Sequence, residues 1–115
     1  MSCSKPAIAF RVTCHREPTA FVIEVAGDID LSTVTYFADA LDDGVRVPKA
    51  DVVVDMEDLT FIDATGLGAL IRAHNVLSGQ EGRRMIIRNV PASARRLFDL
   101  TGLNRLFDIG TLTSS

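Results

Sequence analysis

Thr65 lies in the stretch FIDATGLGAL, Phe61 to Leu70, with a carboxylate two residues before it and glycines at 66 and 68. Three kinds of enzyme chemistry could use such a pattern. An aspartic protease requires Asp followed directly by Thr or Ser and then Gly, in two copies whose carboxylates share a proton. Here Ala64 intervenes and the chain holds no second copy. A nucleotide-binding loop requires GxGxxG directly after a strand, or a GK[ST] ending. GLGALI stops after two glycines and has no lysine. A receiver-type phosphoacceptor is the third reading, since Asp55 ends an apolar run as such an aspartate would. That site also needs an acidic pair after the first strand and a lysine after a late one, and the only lysines are Lys5 and Lys49. His15 and His74 complete no metal set, and no cofactor site is expected. Thr65 is left with two roles, a helix-starting residue or a hydroxyl meant to be modified.

The elements that position it follow from the apolar spacing. Ile8, Phe10, Val12 and Cys14 alternate on one face, as do Phe21, Ile23 and Val25, with HREPT as the turn of a hairpin between them. GDIDLST breaks the alternation, and Asp30 or Ser32 can cap a helix carrying Val34, Phe37 and Leu41, which Gly44 ends. DVVVDM, Asp51 to Met56, is apolar on both faces, as expected of a central strand covered on both sides. A turn-rich acidic stretch leads from it to a helix over about Thr65 to Ser78. GQEGR then turns the chain into a strand at Met85 to Arg88. A further helix has Pro91 in its first turn, Leu97 and Phe98 inward and Gly102 past its end, and a last strand spans Leu106 to Ile109.

At about 100° per residue, Leu67, Leu70, Ile71, His74 and Leu77 gather on the core side of the Thr65 helix. Thr65, Ala69, Arg72 and Val76 gather opposite, so the hydroxyl should be accessible at the head of a stripe of small and apolar residues. That stripe suits a partner surface, although scattered exposed Ala and Val are ordinary. Asp63 sits where an N-cap should, its carboxylate facing the free N–H groups of the first turn. Gly66 and Gly68 are poor helix formers, costing about 1 kcal/mol each against alanine. Either they admit a partner's close approach to the hydroxyl, or they let the helix pack tightly on the sheet.

Composition limits the remaining possibilities. With 115 residues, 47% apolar and 23% charged, the chain is long enough for one globular core. Its net charge of −3, with scattered basic residues, gives no footprint for nucleic acid. Cys3 and Cys14 lack metal-ligand spacing or a disulfide-rich context, and buried or idle thiols are expected. The start lacks a secretory peptide's apolar core, and no run approaches the roughly 20 apolar residues of a membrane span. A single cytoplasmic domain with no membrane segment is expected.

VAGDIDLST, VVVDMEDLTFIDATGLGAL and NVPASARRLFDLTGLNRLF, in this order and spacing, resemble the STAS domain of the stand-alone bacterial anti-anti-sigma factors (anti-sigma factor antagonists). The likeness covers nearly the whole chain, with a core over about 7–110. Its central motif, Asp-Ser-Ser-Gly-Leu in many members, stands here as Asp63-Ala64-Thr65-Gly66-Leu67. The resemblance implies an α/β fold, a small mixed sheet backed by helices on one face. It also implies a binding module, not an enzyme, that works by partner switching. The unphosphorylated form binds an anti-sigma factor, a serine/threonine kinase of the histidine-kinase-like ATPase type, and frees a sigma factor. Phosphorylation of Thr65 ends that binding until a serine/threonine phosphatase reverses it. Ala64 and Thr65 replace the commoner serines. The partner surface is expected to comprise Asp28, Asp30, Asp63, Thr65, Gly66, Gly68, Ala69, Arg72 and Val76. The same fold could instead serve as a cytoplasmic subunit or scaffold of a transport complex, without phosphoswitching.

Overall fold

The structure is a computed structural model that describes residues 10–80 and 82–110. Ile8 and Cys3 lie outside them. The chain runs β1 (Phe10–Glu17), β2 (Ala20–Ile29), α1 (Val34–Arg46), β3 (Asp51–Ile62), α2 (Ala64–Ser78), β4 (Met85–Arg88), α3 (Ala92–Thr101), a 3-10 turn (Leu103–Arg105) and β5 (Asp108–Gly110).

β1 and β2 form the expected antiparallel hairpin, with Glu17 opposite Ala20 and only Pro18 and Thr19 between them. β2, β3, β4 and β5 then pair in parallel, each joined to the next through a helix, and the sheet order is that of the chain. Successive right-handed crossovers in one direction place their helices on one face. The core agrees: Val12, Ile23, Val54 and Ile87 of the sheet are buried with Phe37 and Leu41 of α1, Leu70 and Leu77 of α2, and Phe98 of α3. This is the mixed sheet backed by helices that the motifs imply.

The apolar look of β3 on both faces has a different cause from a second helical layer. On the side away from the helices Val53 is packed with Val22, Ala20 and Ile86 in a narrow strip. Polar pairs lie on the neighbouring strand residues, Arg88 to Asp55 at 3.7 Å and Arg84 to Asp51 at 3.8 Å. Cys14 on β1 is not an idle thiol. It is disulfide-bonded, with its partner outside the described residues.

β3 is twice as long as its apolar run suggests, because the acidic stretch expected to turn continues as strand. The register with β2 shifts between Glu24 and Ala26 and again between Gly27 and Asp28, so β3 carries two extra residues. Each bulge turns the following side chains over. Met56, Leu59 and Ile62 therefore all point inward at a spacing of three, which alternation could not reveal.

The start and end of α1 also depart from expectation. Neither Asp30 nor Ser32 caps it. Thr33 occupies the cap position without a capping side-chain bond, while the Asp30 carbonyl accepts from the N–H groups of Thr33 and Val34. Gly44 lies inside the helix, which ends at Arg46. A Cβ at 44 would stand 2.8 Å from the Phe21 ring, so the glycine permits helix and sheet to touch. The final strand begins two residues later than expected, since the 3-10 turn takes Leu103–Arg105.

Arg83 completes this layer in a way the sequence did not announce. It is buried, and its guanidinium donates to the carbonyls of Ala50 at 2.7 Å, Val45 at 2.8 Å and Gly44 at 3.1 Å, and to Gln80 Oε1 at 2.7 Å. A cation is thereby held at the C-terminus of α1, where the helix dipole favours it. Arg83→Ala strands several buried carbonyls and should cost about 2–4 kcal/mol in chemical denaturation. Leu70→Ala, at a fully buried position, should cost about 2–5 kcal/mol in the same assay.

Candidate functional site

The site lies where β2 and β3 end together and α2 begins. Ile29 pairs with Ile62, and the Asp63 N–H donates to the Ile29 carbonyl at 3.1 Å. The chain leaves the sheet at Asp63 with extended backbone angles, φ −112° and ψ −170°. Its carboxylate then caps α2 as expected, Oδ1 accepting from Thr65 N–H at 2.9 Å and Gly66 N–H at 3.4 Å. The same oxygen accepts from the Thr65 hydroxyl at 2.5 Å. Thr65 is therefore half-buried, its hydroxyl proton directed at Asp63.

Beside it, the loop after β2 is held by its own polar groups. Asp30 Oδ1 accepts from Ser32 N–H at 3.0 Å and Ser32 Oγ at 2.7 Å. Thr33 Oγ1 donates to the Asp28 carbonyl at 2.7 Å and accepts from Asp30 N–H at 3.0 Å. The Ser32 hydroxyl above all, opposed by desolvation and aided by the Ser32 N–H and by Thr33, holds the Asp30 carboxyl below the usual aspartate range. Asp28 is half-buried at the end of β2, and its carboxylate accepts from Thr60 Oγ1 of β3. Asp28 and Asp30 are thus beside the Thr65 surface, but both carboxylates are engaged in holding the local backbone.

Along α2 the stripe is broken. Arg72 and Val76 are exposed, Val76 by half of its surface. Ala69 is not: it is buried, 3% exposed, and belongs to the core. α1 packs alongside α2 and covers that side of the helix, so the core face is broader than a single arc facing the sheet. His74 is half-buried with its ring edge-on to Phe107 at 5.6 Å, a packed histidine as its place on the wheel predicts.

The two glycines have separate reasons. At Gly66 a Cβ would stand 2.7 Å from both Ile29 Cγ2 and Ile62 Cγ1, so close packing of helix on sheet requires it. At Gly68 a Cβ would meet only Arg72 Nη1, at 3.6 Å. Gly68 is half-buried without any such constraint from its neighbours.

Two exposed apolar side chains beside the site escaped the sequence reading. Leu31, 78% exposed, projects from the loop after β2, and Phe61, 50% exposed, lies just before Asp63. Phe61 also walls a groove of about 260 Å³ with Ile62 and with Ala94, Leu97 and Leu100 of α3. The signal for Phe61 was the 56, 59, 62 spacing, which turns it outward. Among the described residues no group of three His, Cys, Asp or Glu side chains is placed to hold a metal. Among the described residues no helix is long and apolar enough to cross a membrane.

A mixed sheet with one helical layer and a hydroxyl at the head of the helix after the long third strand define the class, and the comparisons agree. The STAS domain family model matches residues 11–114, and the chain belongs to that family. Among curated proteins it is 30% identical over 93 residues to the anti-sigma-B factor antagonist of Staphylococcus aureus, covering 77% of this chain and 82% of that one. The Staphylococcus epidermidis protein of the same name is 29% identical over 89 residues, with the same coverage. Among solved structures, an anti-sigma factor antagonist from Mycobacterium paratuberculosis aligns with a TM-score of 0.78 at 23% identity, over 90% of this chain and 87% of that one. The unphosphorylated anti-sigma factor antagonist SpoIIAA aligns with a TM-score of 0.72 at 20% identity, over 87% of this chain and 88% of the other.

Gly66→Ala should destabilise by about 1–3 kcal/mol despite alanine's better helix propensity, because the new methyl has no room. Gly68→Ala should be neutral or stabilising by up to about 1 kcal/mol, and thermal melts of the pair will show the opposite signs. The Asp30 interaction has its own pH window. A carboxyl depressed in the folded state contributes stability above its unfolded value, about 3.9, and loses it as pH falls through the folded value. A site-resolved NMR titration should place the Asp30 midpoint below 3.9.

Proposed function

We propose that this chain is an anti-sigma factor antagonist whose unphosphorylated form binds an anti-sigma factor and so releases a sigma factor. Phosphorylation of Thr65 by that same partner, a serine/threonine kinase of the histidine-kinase-like ATPase type, switches the binding off. A serine/threonine phosphatase switches it on again. The domain acts as a binding module and a kinase substrate. The observation that carries the reading is the Thr65 hydroxyl, at the motif position directly before the glycine, oriented at a helix start beside an acidic and apolar surface. The names of the curated relatives support the antagonist role. A neighbour of this fold, SpoIIAA, is described in both unphosphorylated and phosphorylated forms, aligning with TM-scores of 0.72 and 0.67.

The energetics favour a local switch. A phosphothreonine adds about −1.5 to −2 charges at a helix N-terminus, where the dipole favours an anion by roughly 0.3–1 kcal/mol. The Asp63 carboxylate opposes it. In water that repulsion is about 1 kcal/mol for a unit pair at ~4 Å, so the domain stays folded. Against a partner that expels water, the same pair is worth up to about 4 kcal/mol at an effective dielectric near 20. Binding is therefore more sensitive to the phosphate than folding is. Exposed Arg72 and Val76, with half-buried Gly68, extend the contact surface along α2. Buried Ala69 and Gly66 support it from beneath.

After incubation with the partner kinase and ATP, peptide mass mapping should place one phosphate on Thr65, and Thr65→Ala should accept none; phosphate on Ser32 or Thr101 instead would overturn the assignment. Since 1.4 kcal/mol is tenfold in affinity, Thr65→Glu should weaken anti-sigma factor binding by on the order of a hundredfold in titration calorimetry. Amide exchange should meanwhile be unchanged across the distant strands β1 and β4. Val76→Glu should weaken binding with no loss of thermal stability, and unchanged affinity would move the interface off this part of α2.

A further inference from the structure

We propose that the groove between the end of β3 and α3 is a docking site for an extended segment of a partner protein. The segment adds as a strand to the open edge of β3, places an aliphatic side chain in the groove and sets one carboxylate on Arg96. No residue of α2 lines the groove, and the inference does not rest on the phosphoswitch. β4 has four residues and pairs with β3 only from Val52 to Asp55. At Asn89 the chain turns off the sheet with φ +57°, its side-chain amide donating to Asp55 Oδ1 at 3.2 Å, and goes on to α3. β3 continues to Ile62, so from Met56 onward no described strand lies on that side of it. Such an edge is a template for one more strand. The Asp63 N–H is bonded to the end of β2, and peptide groups point to alternate sides along a strand, so the Ile62 N–H faces away from β2.

The walls of the groove set the chemistry of its occupant. Its volume of about 260 Å³ lies below the roughly 300–1,000 Å³ of small-molecule sites but admits an aliphatic side chain. Phe61, Leu97 and Leu100 line it, and with Phe61 50% and Leu100 78% exposed, an apolar group seated there takes apolar surface of both partners out of water. Arg96 is the charged residue of the lining. It is exposed and pairs with no carboxylate among the described residues, and a guanidinium fork fits a carboxylate in bidentate fashion. Glu57 and Asp58 are exposed on the same open stretch of β3 but outside the lining. They disfavour an occupant that is acidic throughout and select one with a single carboxylate. A fatty acid would satisfy the arginine and the apolar walls but has nothing to offer the strand edge, which favours a peptide.

The full chain is tested, without kinase or ATP, against labelled octapeptides that alternate threonine with valine or leucine and carry one aspartate at each position in turn. A second set carries lysine in place of the aspartate. In fluorescence anisotropy the tightest aspartate peptide should bind at least about tenfold more tightly than its lysine counterpart, a comparison that needs no variant. Arg96→Glu should reverse the preference, and Leu100→Glu should weaken binding at least about tenfold; both side chains are exposed, and circular dichroism checks that both variants fold. Val76→Glu, on α2, should leave Kd unchanged. In amide NMR spectra the peptide should shift resonances of Thr60 to Ile62 and of α3, and slow exchange of the Ile62 amide. Absence of binding, equal affinity for the two sets, or shifts confined to α2 overturns the proposal while the Thr65 switch stands. Self-association in place of peptide binding, abolished by Leu100→Glu, also overturns it and assigns the groove to a second copy of the chain.

Discussion

The Asp63 carboxylate is the point on which the site depends. At that residue the chain must stop being strand and become helix, and the first N–H groups of α2 have no partners of their own. One side-chain oxygen satisfies two of them and also takes the Thr65 hydroxyl. The backbone N–H of the same residue is bound to the end of β2. A single aspartate thus fixes the direction of α2, the joint between the two longest strands and the orientation of the hydroxyl. Replacement by a residue unable to accept would disturb the helix start and the hydroxyl together while leaving the backbone bond to β2 in place, which is why structure and chemistry are hard to separate at this position by deletion alone.

Much of this was legible in the sequence, and the failures share a cause. The hairpin, β4, the α2 cap and the αL glycine after α3 followed from alternation, cap chemistry and glycine placement, which are local rules. Gly102 does adopt φ +79°. What escaped depended on contacts between elements distant in sequence. The two bulges in β3 exist through its pairing with β2, and they turn a strand into an apparent acidic turn. Ala69 is buried because α1 lies against α2, and a helical wheel has no knowledge of a second helix. Gly44 and Gly66 look like a terminator and a weak point in isolation; both are places where a helix comes within methyl distance of the sheet.

The site residues divide along the same line. Asp63 and Thr65 belong to one turn and were placed correctly by the spacing of the motif. Asp28 and Asp30 came from the family resemblance alone, and neither their place beside that turn nor their hydrogen-bond duties were legible. Their carboxylates serve Thr60 and Ser32, respectively. Leu31 and Phe61, the large exposed apolar groups beside them, went unread because an apolar residue carries no motif of its own.

The hydrogen bonds of the Asp30–Thr33 loop have a consequence for association. Asp30, Ser32 and Thr33 brace one another and the end of β2 through their side chains, so Leu31 is presented on a segment tied down on either side of it. Immobilising a rotamer-rich side chain at an interface costs roughly 0.5–1.5 kcal/mol, and ordering a loop costs more. Here that entropy has been surrendered during folding. An encounter with a partner at Leu31 would then not have to order this loop as well.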